Sequence, residues 1–262
     1  VSNLAVRPKY EIVRDAVVKA EPGLAKLLSP FGMKADRMVR VTLDLLRREP
    51  HLCECTPASI VLAVLQSAEL GLEVGSPLGH AYLIPFKGKA KLIPGYQGLI
   101  TLAYDEPRVA GIRADHVHEH DLFEEVSGSQ PSLTHRVDRF ADRGALQGVY
   151  GTVQIRDGWP LFRVLRKAEV DAVRATSLAK LSDYQRSTSP WTTHEPEMQL
   201  KTAIRRVLKI VPLGSRLRRA IELDAVEYGE KPPDPKGRAE SLRAQVGDVV
   251  DAEIIDEAGK DE

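Results

Sequence analysis

The sequence is poor in what several protein classes require. Only two of its 262 residues are cysteine, Cys53 and Cys55, one residue apart. That spacing is too tight for an unstrained bridge, and no further thiols complete a zinc site, so both read as reduced structural thiols. No run of about 18 apolar residues occurs, which excludes a spanning helix. The opening VSNLAVRPKYEIV lacks the basic-then-apolar order of a secretory leader, and the expected compartment is the cytoplasm. A nucleotide-binding GxxxxGK[ST] loop is missing: Gly71, Gly75 and Gly79 recur by fours without the lysine and hydroxyl that hold phosphates. Net charge is lacking too, with 37 basic and 37 acidic side chains.

That neutrality conceals a division. Residues 224–262 hold 12 acidic and 5 basic side chains, a net of −7, and the remainder holds 25 and 32, a net of +7. A basic body with an acidic arm is the charge pattern of a polyanion binder carrying a separate interaction segment.

Periodicity supplies the elements. A short helix is expected near the breaks Glu21-Pro22-Gly23 and Ser29-Pro30-Phe31-Gly32. Met38, Val41, Leu45 and Leu46 predict a helix over 36–48, capped by Asp36 and ended by Pro50. Thr56 as N-cap, Pro57 at the first helical position, the stripe Ile60, Val61, Val64, Leu65 and Ala68, and the stop at Gly71 predict another. Strands follow at 81–86 and 90–94, joined by Lys87-Gly88-Lys89, then a short helix to Tyr104. Further strands are expected at 109–118, 134–139, 146–156 and 160–166, the last two meeting at an Asp157-Gly158 turn. Helices resume at 167–176 and 195–211, the last core helix ending near Pro212. The fold class is α+β, central antiparallel strands and hairpins flanked by helices. A core over 1–228 is followed by a flexible acidic linker and tail over 229–262, where KPPDPKG has linker composition. Leu242, Val246, Val249, Val250, Ile254 and Ile255 make either one amphipathic helix there or part of a disordered arm.

Two places carry candidate chemistry. Lys87, Lys89 and Lys91 alternate along the first hairpin and can share a side, with Tyr82 and Tyr96 near in sequence. Cations track phosphates while flat rings offer bases a sequence-neutral surface, although lysines on a hairpin also simply solubilise an edge. In the helix 195–211, Leu200, Ala203, Ile204, Val207, Leu208 and Val211 define a buried face. Lys201, Arg205 and Lys209 recur every four residues as a basic line, with Arg206 beside it. That line suits the phosphates of a strand or is a solvated face, with Glu197 four residues before Lys201. His116, His118 and His120 alternate beside Asp115, Glu119 and Asp121, which suggests either a nuclease-like metal site or ordinary surface histidines.

The stretch QSAELGLEVGSPLGHAYLIPFKGKAKLIPGYQGLI, from Gln66 to Ile100, strongly resembles the RecT family of recombinases. SPWTTHEPEMQLKTAIRRVLKIVP, from Ser189 to Pro212, is similar to the family's second signature, and the resemblance spans about Asp36 to Glu227. It implies ATP-independent binding of single-stranded DNA and annealing of complementary strands in phage-type homologous recombination. It further implies a homo-oligomeric ring or helical filament, no enzymatic activity and no cofactor. Within the matched blocks, Lys87, Lys89, Lys91, Lys201, Arg205, Arg206 and Lys209 become the expected phosphate contacts. Tyr96, Gln97 and Trp191 become stacking or hydrogen-bonding groups, while Gly71, Gly75, Gly79, Gly95 and Gly98 serve turns. In such recombinases the C-terminal region recruits a cognate exonuclease or a host single-strand-binding protein. The competing functions are a passive single-strand-binding protein and a metal-dependent nuclease on His116, His118 and His120.

Overall fold

The computed structural model describes residues 8–179, 181–211 and 214–224. They form two compact units, residues 8–98 with 222–224 and residues 99–221.

The first unit is built around one helix. α1 (Lys9–Lys19), α2 (Glu21–Leu28) and α3 (Ala35–Arg48) precede α4 (Pro57–Leu70), and the hairpin of β1 (Ala81–Phe86) and β2 (Lys89–Pro94) follows it. Ile60, Val61, Ala63, Val64, Leu65, Ala68 and Leu70 of α4 are all buried, so the helix is covered around most of its circumference. α1, α2 and both hairpin strands pack against it. Thr56 stands at its N-cap position, Pro57 opens it, and Gly71 closes it in the left-handed region at φ 69°. The single short helix expected before residue 35 is two helices. Asp36 is not the cap of α3: Lys34 holds that position, and Asp36 sits in the first turn paired with Arg40 at 3.0 Å. Cys53 and Cys55 are free and buried, and burial raises both thiol pKa values.

The loop between α4 and β1 is tied down by side chains from α3. Arg37 grips the buried Glu73 carboxylate at 2.5 and 3.2 Å, and Arg48 donates to the Gly75 carbonyl at 2.7 Å. A Cβ on Gly95 would stand 2.0 Å from the Gly79 carbonyl oxygen, so two backbone segments meet there only because the side chain is absent.

The second unit is a helix-covered sheet. β3 (Val109–His118), β6 (Leu146–Ile155) and β7 (Leu161–Arg166) form an antiparallel sheet in the order β3-β6-β7. α5 (Tyr96–Tyr104) leads into it, and β4 (Leu122–Val126) pairs with β5 (Ser132–Arg136) as a separate hairpin. α6 (Lys167–Leu178), α7 (Asp183–Thr188), α8 (Pro190–Thr193), α9 (Glu195–Leu208) and α10 (Ser215–Asp224) complete the described chain. α9 packs on all three sheet strands. It meets the sheet closely at Gly151, where a Cβ would lie 2.6 Å from the Ala203 carbonyl oxygen. Val149, Leu165, Val170, Trp191, Met198 and Ala203 form a core cluster.

The α+β class, antiparallel strands among helices, is what the periodicity predicted. Three details differ. The 134–139 strand is Ser132–Arg136, and its partner β4 went unanticipated because LFEEV is too acidic to read as a strand. β6 and β7 pair only as far as Val153 opposite Leu161, so Asp157-Gly158 lies in a longer connection than a two-residue turn. α10 follows Pro212, where the last core helix was expected to end. The acidic tail and its six apolar positions fall outside the described residues.

Candidate nucleic-acid interface

The β1-β2 hairpin separates its residues by face. Ala81 and Leu83 with Ala90, Leu92 and Pro94 are buried. Alternation sends Tyr82, Ile84 and Phe86 outward, at 48%, 39% and 46% exposure. In the antiparallel register these stand opposite Ile93, Lys91 and Lys89, so two lysines share a face with two aromatic rings. The Lys91 ammonium lies 3.9 Å from the centroid of Phe86, and that of Lys87 lies 5.8 Å from it. Partial burial, then the neighbouring Lys87 charge, lowers the Lys91 pKa. No acidic residue occurs between 81 and 94.

Lys87 corrects the expected three-lysine alternation. It occupies the turn itself at φ 49°, followed by Gly88 at φ 73°, so the turn is Lys87-Gly88 and Lys89 already belongs to β2. The tip is anchored by the Thr56 N–H donating to the Gly88 carbonyl at 2.9 Å and the Ala90 N–H donating to Ser59 Oγ at 2.9 Å. Tyr96 and Gln97 open α5 immediately after β2, Tyr96 half-buried and Gln97 exposed. The hairpin thus gathers Lys87, Lys89 and Lys91. Tyr82, Ile84 and Phe86 were not singled out as a surface, because AYLIPF is apolar at almost every position and its faces cannot be separated from composition.

α9 departs further from expectation. Lys201 and Arg205 are buried, at 5% and 2% exposure, and neither is a free cation. Arg206 and Lys209 are exposed. The continuous outward basic line is therefore absent; two cations point inward and two outward. A helix covered on one side would keep the i, i+4 line in solvent, but α9 is buried along Met198, Gln199, Thr202, Ala203, Ile204, Val207 and Leu208 as well. Trp191 likewise belongs to the core at 1% exposure, so it offers no ring to solvent. The second signature block is thus mainly a packing motif. Trp191 and Met198 fill the core, the Thr202 hydroxyl donates to the Met198 carbonyl at 2.8 Å, and Ala203 meets Gly151.

The three histidines do not converge. His116 Nε2 lies 3.0 Å from Gln199 Oε1, whose amide reaches Glu195 at 3.1 Å, linking β3 to α9. Burial lowers the His116 pKa. His118 Nδ1 meets the Gly144 carbonyl at 3.2 Å, and His120 Nδ1 meets that of Asp142 at 3.0 Å. Among the described residues no group of three or more His, Cys, Asp and Glu is arranged to hold a metal ion.

Asp121 is instead the centre of a buried latch. Its carboxylate, 1% exposed, accepts from Arg143 at 2.9 and 2.7 Å, from the His118 N–H at 2.8 Å and from His135 Nε2 at 3.0 Å. His135 Nδ1 is 3.2 Å from the Tyr150 hydroxyl, and Phe123 packs against both rings. One carboxylate thereby ties the β4-β5 hairpin to β3, to β6 and to the loop bearing Arg143. The Arg143 hydrogen bonds hold the Asp121 carboxyl far below the usual carboxylate range.

One unit thus presents a cationic, aromatic-bearing hairpin and the other a helix-covered antiparallel sheet with charged signature residues partly interior, which together define an α+β protein. Comparison with known proteins supplies the family. Residues 36–235 match the RecT family, and the chain belongs to it. It is 37% identical to Protein RecT of Escherichia coli (strain K12) over 206 residues, covering 76% of this chain and 74% of that protein. It is 24% identical over 244 residues to the uncharacterized protein YqaK of Bacillus subtilis (strain 168), covering 86% and 82%. The role is accordingly in recombination, with binding of single-stranded DNA and strand annealing. Among the described residues no helix is long and apolar enough to cross a membrane.

Proposed function

We propose that this chain anneals complementary DNA strands without hydrolysing a nucleotide and without a metal ion, acting in the cytoplasm as a homo-oligomeric ring or filament along the DNA. It is not an enzyme: sequence selection comes from base pairing, and the protein contributes backbone neutralisation and alignment. The observation that carries this reading is the hairpin, with Lys89 and Lys91 on its outward face, Lys87 at its turn and no acidic residue among them. Arg206 and Lys209, exposed in the second signature block, are further candidate phosphate contacts. A heterologous contact between subunits propagates into a ring or filament, which gives short individual footprints enough length to hold a register. The acidic segment over residues 224–262 is suited to a partner such as an exonuclease or a host single-strand-binding protein, because its net of −7 repels DNA.

The test is the salt dependence of binding to a single-stranded oligonucleotide. With Lys87, Lys89 and Lys91 all changed to Ala, the slope of log affinity against log salt should shrink by about 0.7 per lost phosphate contact, about 2 in total. An unchanged slope would show these lysines only solubilise the hairpin.

A further inference from the structure

We infer that the outward strip Tyr82-Ile84-Phe86 is a base-stacking platform for single-stranded DNA. The inference rests on the DNA-binding role proposed above and assigns to these three residues a part distinct from that of the lysines.

Four observations carry it. First, the strip is exposed although it is apolar, in a hairpin whose opposite face is buried. Rings left in water on a regular strand are surface available to a flat apolar ligand. Second, the Tyr82 ring is seated from below. A Cβ added to Gly95 would lie 2.9 Å from Tyr82 Cε2, and one added to Gly79 would lie 3.1 Å from the Tyr82 hydroxyl oxygen. The two glycines therefore form a shallow seat for the Tyr82 ring, which gives GSPLGHAY and PGYQG a purpose beyond turning the chain. Third, Lys91 lies over Phe86 at 3.9 Å, and Lys89 and Lys87 flank the same ring along the strand and at the turn. Phosphates of a strand whose bases lie along the strip thus meet ammonium groups within it and at its turn, and a base at Phe86 takes the ring face away from Lys91. Fourth, the complementarity is of one sign, because residues 81–94 contain no carboxylate to oppose a polyanion.

The chemistry identifies the occupant. A platform of ring, branched aliphatic and ring has no preference among bases, since every base has a π face. It has no donors or acceptors directed at base edges apart from the Tyr82 hydroxyl. Bases laid on it by their faces keep their pairing edges free, which is what a strand awaiting its complement needs. Alternate residues of a strand are about 6.6 Å apart, whereas stacked bases rise about 3.4 Å. A strand placing one base on each of the three positions is consequently drawn out to about twice the stacked spacing.

The partial desolvation of Lys91 and its repulsion by Lys87, which lower its pKa, agree with this arrangement. An incoming phosphate relieves that repulsion, so strand binding should favour the charged form.

The experiment compares the full chain, wild type and the double variant Tyr82→Leu/Phe86→Leu, on two oligonucleotides of equal length, one of thymidines and one with abasic sites throughout its middle. Wild-type protein is expected to bind the thymidine strand more tightly than the abasic one. The double variant should lose about tenfold or more on the thymidine strand, by the usual worth of base–aromatic stacking. It should lose little on the abasic strand and keep its salt slope. Equal losses on both strands, or no loss, would overturn the platform while leaving the DNA-binding role intact. Absence of salt-sensitive binding by the wild type would overturn the role itself. The ring-retaining variant Tyr82→Phe should bind as wild type does, and a loss there would count against stacking. Should the leucine variant fail to fold, unmodified protein decides the matter. A strand carrying 5-iododeoxyuridine, irradiated in the complex, should crosslink to Tyr82 or Phe86. Crosslinks confined to other peptides would overturn the proposal.

Discussion

Arg205 and Arg206 are neighbours with opposite fates, and the difference lies in what surrounds each guanidinium. Arg205 is 2% exposed and engaged, while Arg206 stands in solvent. Truncating a buried, engaged cation leaves its surroundings unpaired and a cavity behind, so Arg205→Ala should cost about 3 kcal/mol or more of folding stability. Arg206→Ala should stay within about 0.5 kcal/mol and show itself only in a shallower salt dependence of DNA binding. Denaturant titration of the two variants separates the roles, and equal stability would return Arg205 to the surface. Asp121 presents the matching case for an acid. Its folded-state pKa is depressed by Arg143, so the ionised form is favoured by folding. Its contribution is complete above the ordinary value of 3.8 and is lost as pH falls below that value towards the folded one. Asp121→Asn should therefore destabilise by about 3 kcal/mol near neutrality, and the gap from wild type should narrow as pH drops below about 4. Parallel stability–pH profiles from pH 6 downwards would contradict the latch.

At the scale of elements, packing density rather than propensity decides what is essential. α9 meets β6 at Gly151, and no rotamer change relieves a Cβ 2.6 Å from a carbonyl oxygen of the helix backbone. Gly151→Ala should thus displace α9 from the sheet and cost about 2 kcal/mol or more, whereas Gly88→Ala in the open turn meets nothing within 4 Å and suffers only its φ of 73°. A thermal melt comparing the two is sufficient, and a larger loss at Gly88 would refute this ranking. The same contrast explains what was legible from the chain. α4 was readable because its stripe, Pro57 and Gly71 all agree. β6 and β7 are readable because apolar, β-branched and aromatic residues recur along both up to the Asp157-Gly158 break between them. α9 was found as a helix, yet its cationic line was given the wrong side in part, because periodicity reveals a face but not how many faces are covered. β4 was hidden by its two glutamates, which an exposed hairpin strand tolerates. Trp191 was taken for a stacking ring since a signature aromatic beside proline suits a surface as well as a core. Phe86 and Ile84 escape notice for the opposite reason, being embedded in residues that look uniformly interior.

For the whole molecule, family membership and the distribution of charge converge on a strand-annealing protein whose matched signatures divide their labour. The first block combines a loop braced by Arg37–Glu73 with an exposed cationic hairpin; the second supplies a packed helix that holds a sheet together. Neither gathers a metal-binding cluster among the described residues. Alignment on cations, with no chemical energy supplied, is proposed to suffice for annealing. It is tested most directly by mixing two complementary dye-labelled oligonucleotides with the protein in a metal chelator, with no nucleotide present, and following energy transfer. Wild-type protein should accelerate annealing undiminished under those conditions, and the Lys87, Lys89 and Lys91 triple alanine variant should anneal more slowly at physiological salt. A requirement for ATP or a divalent ion, or a triple variant as fast as wild type, would contradict the account.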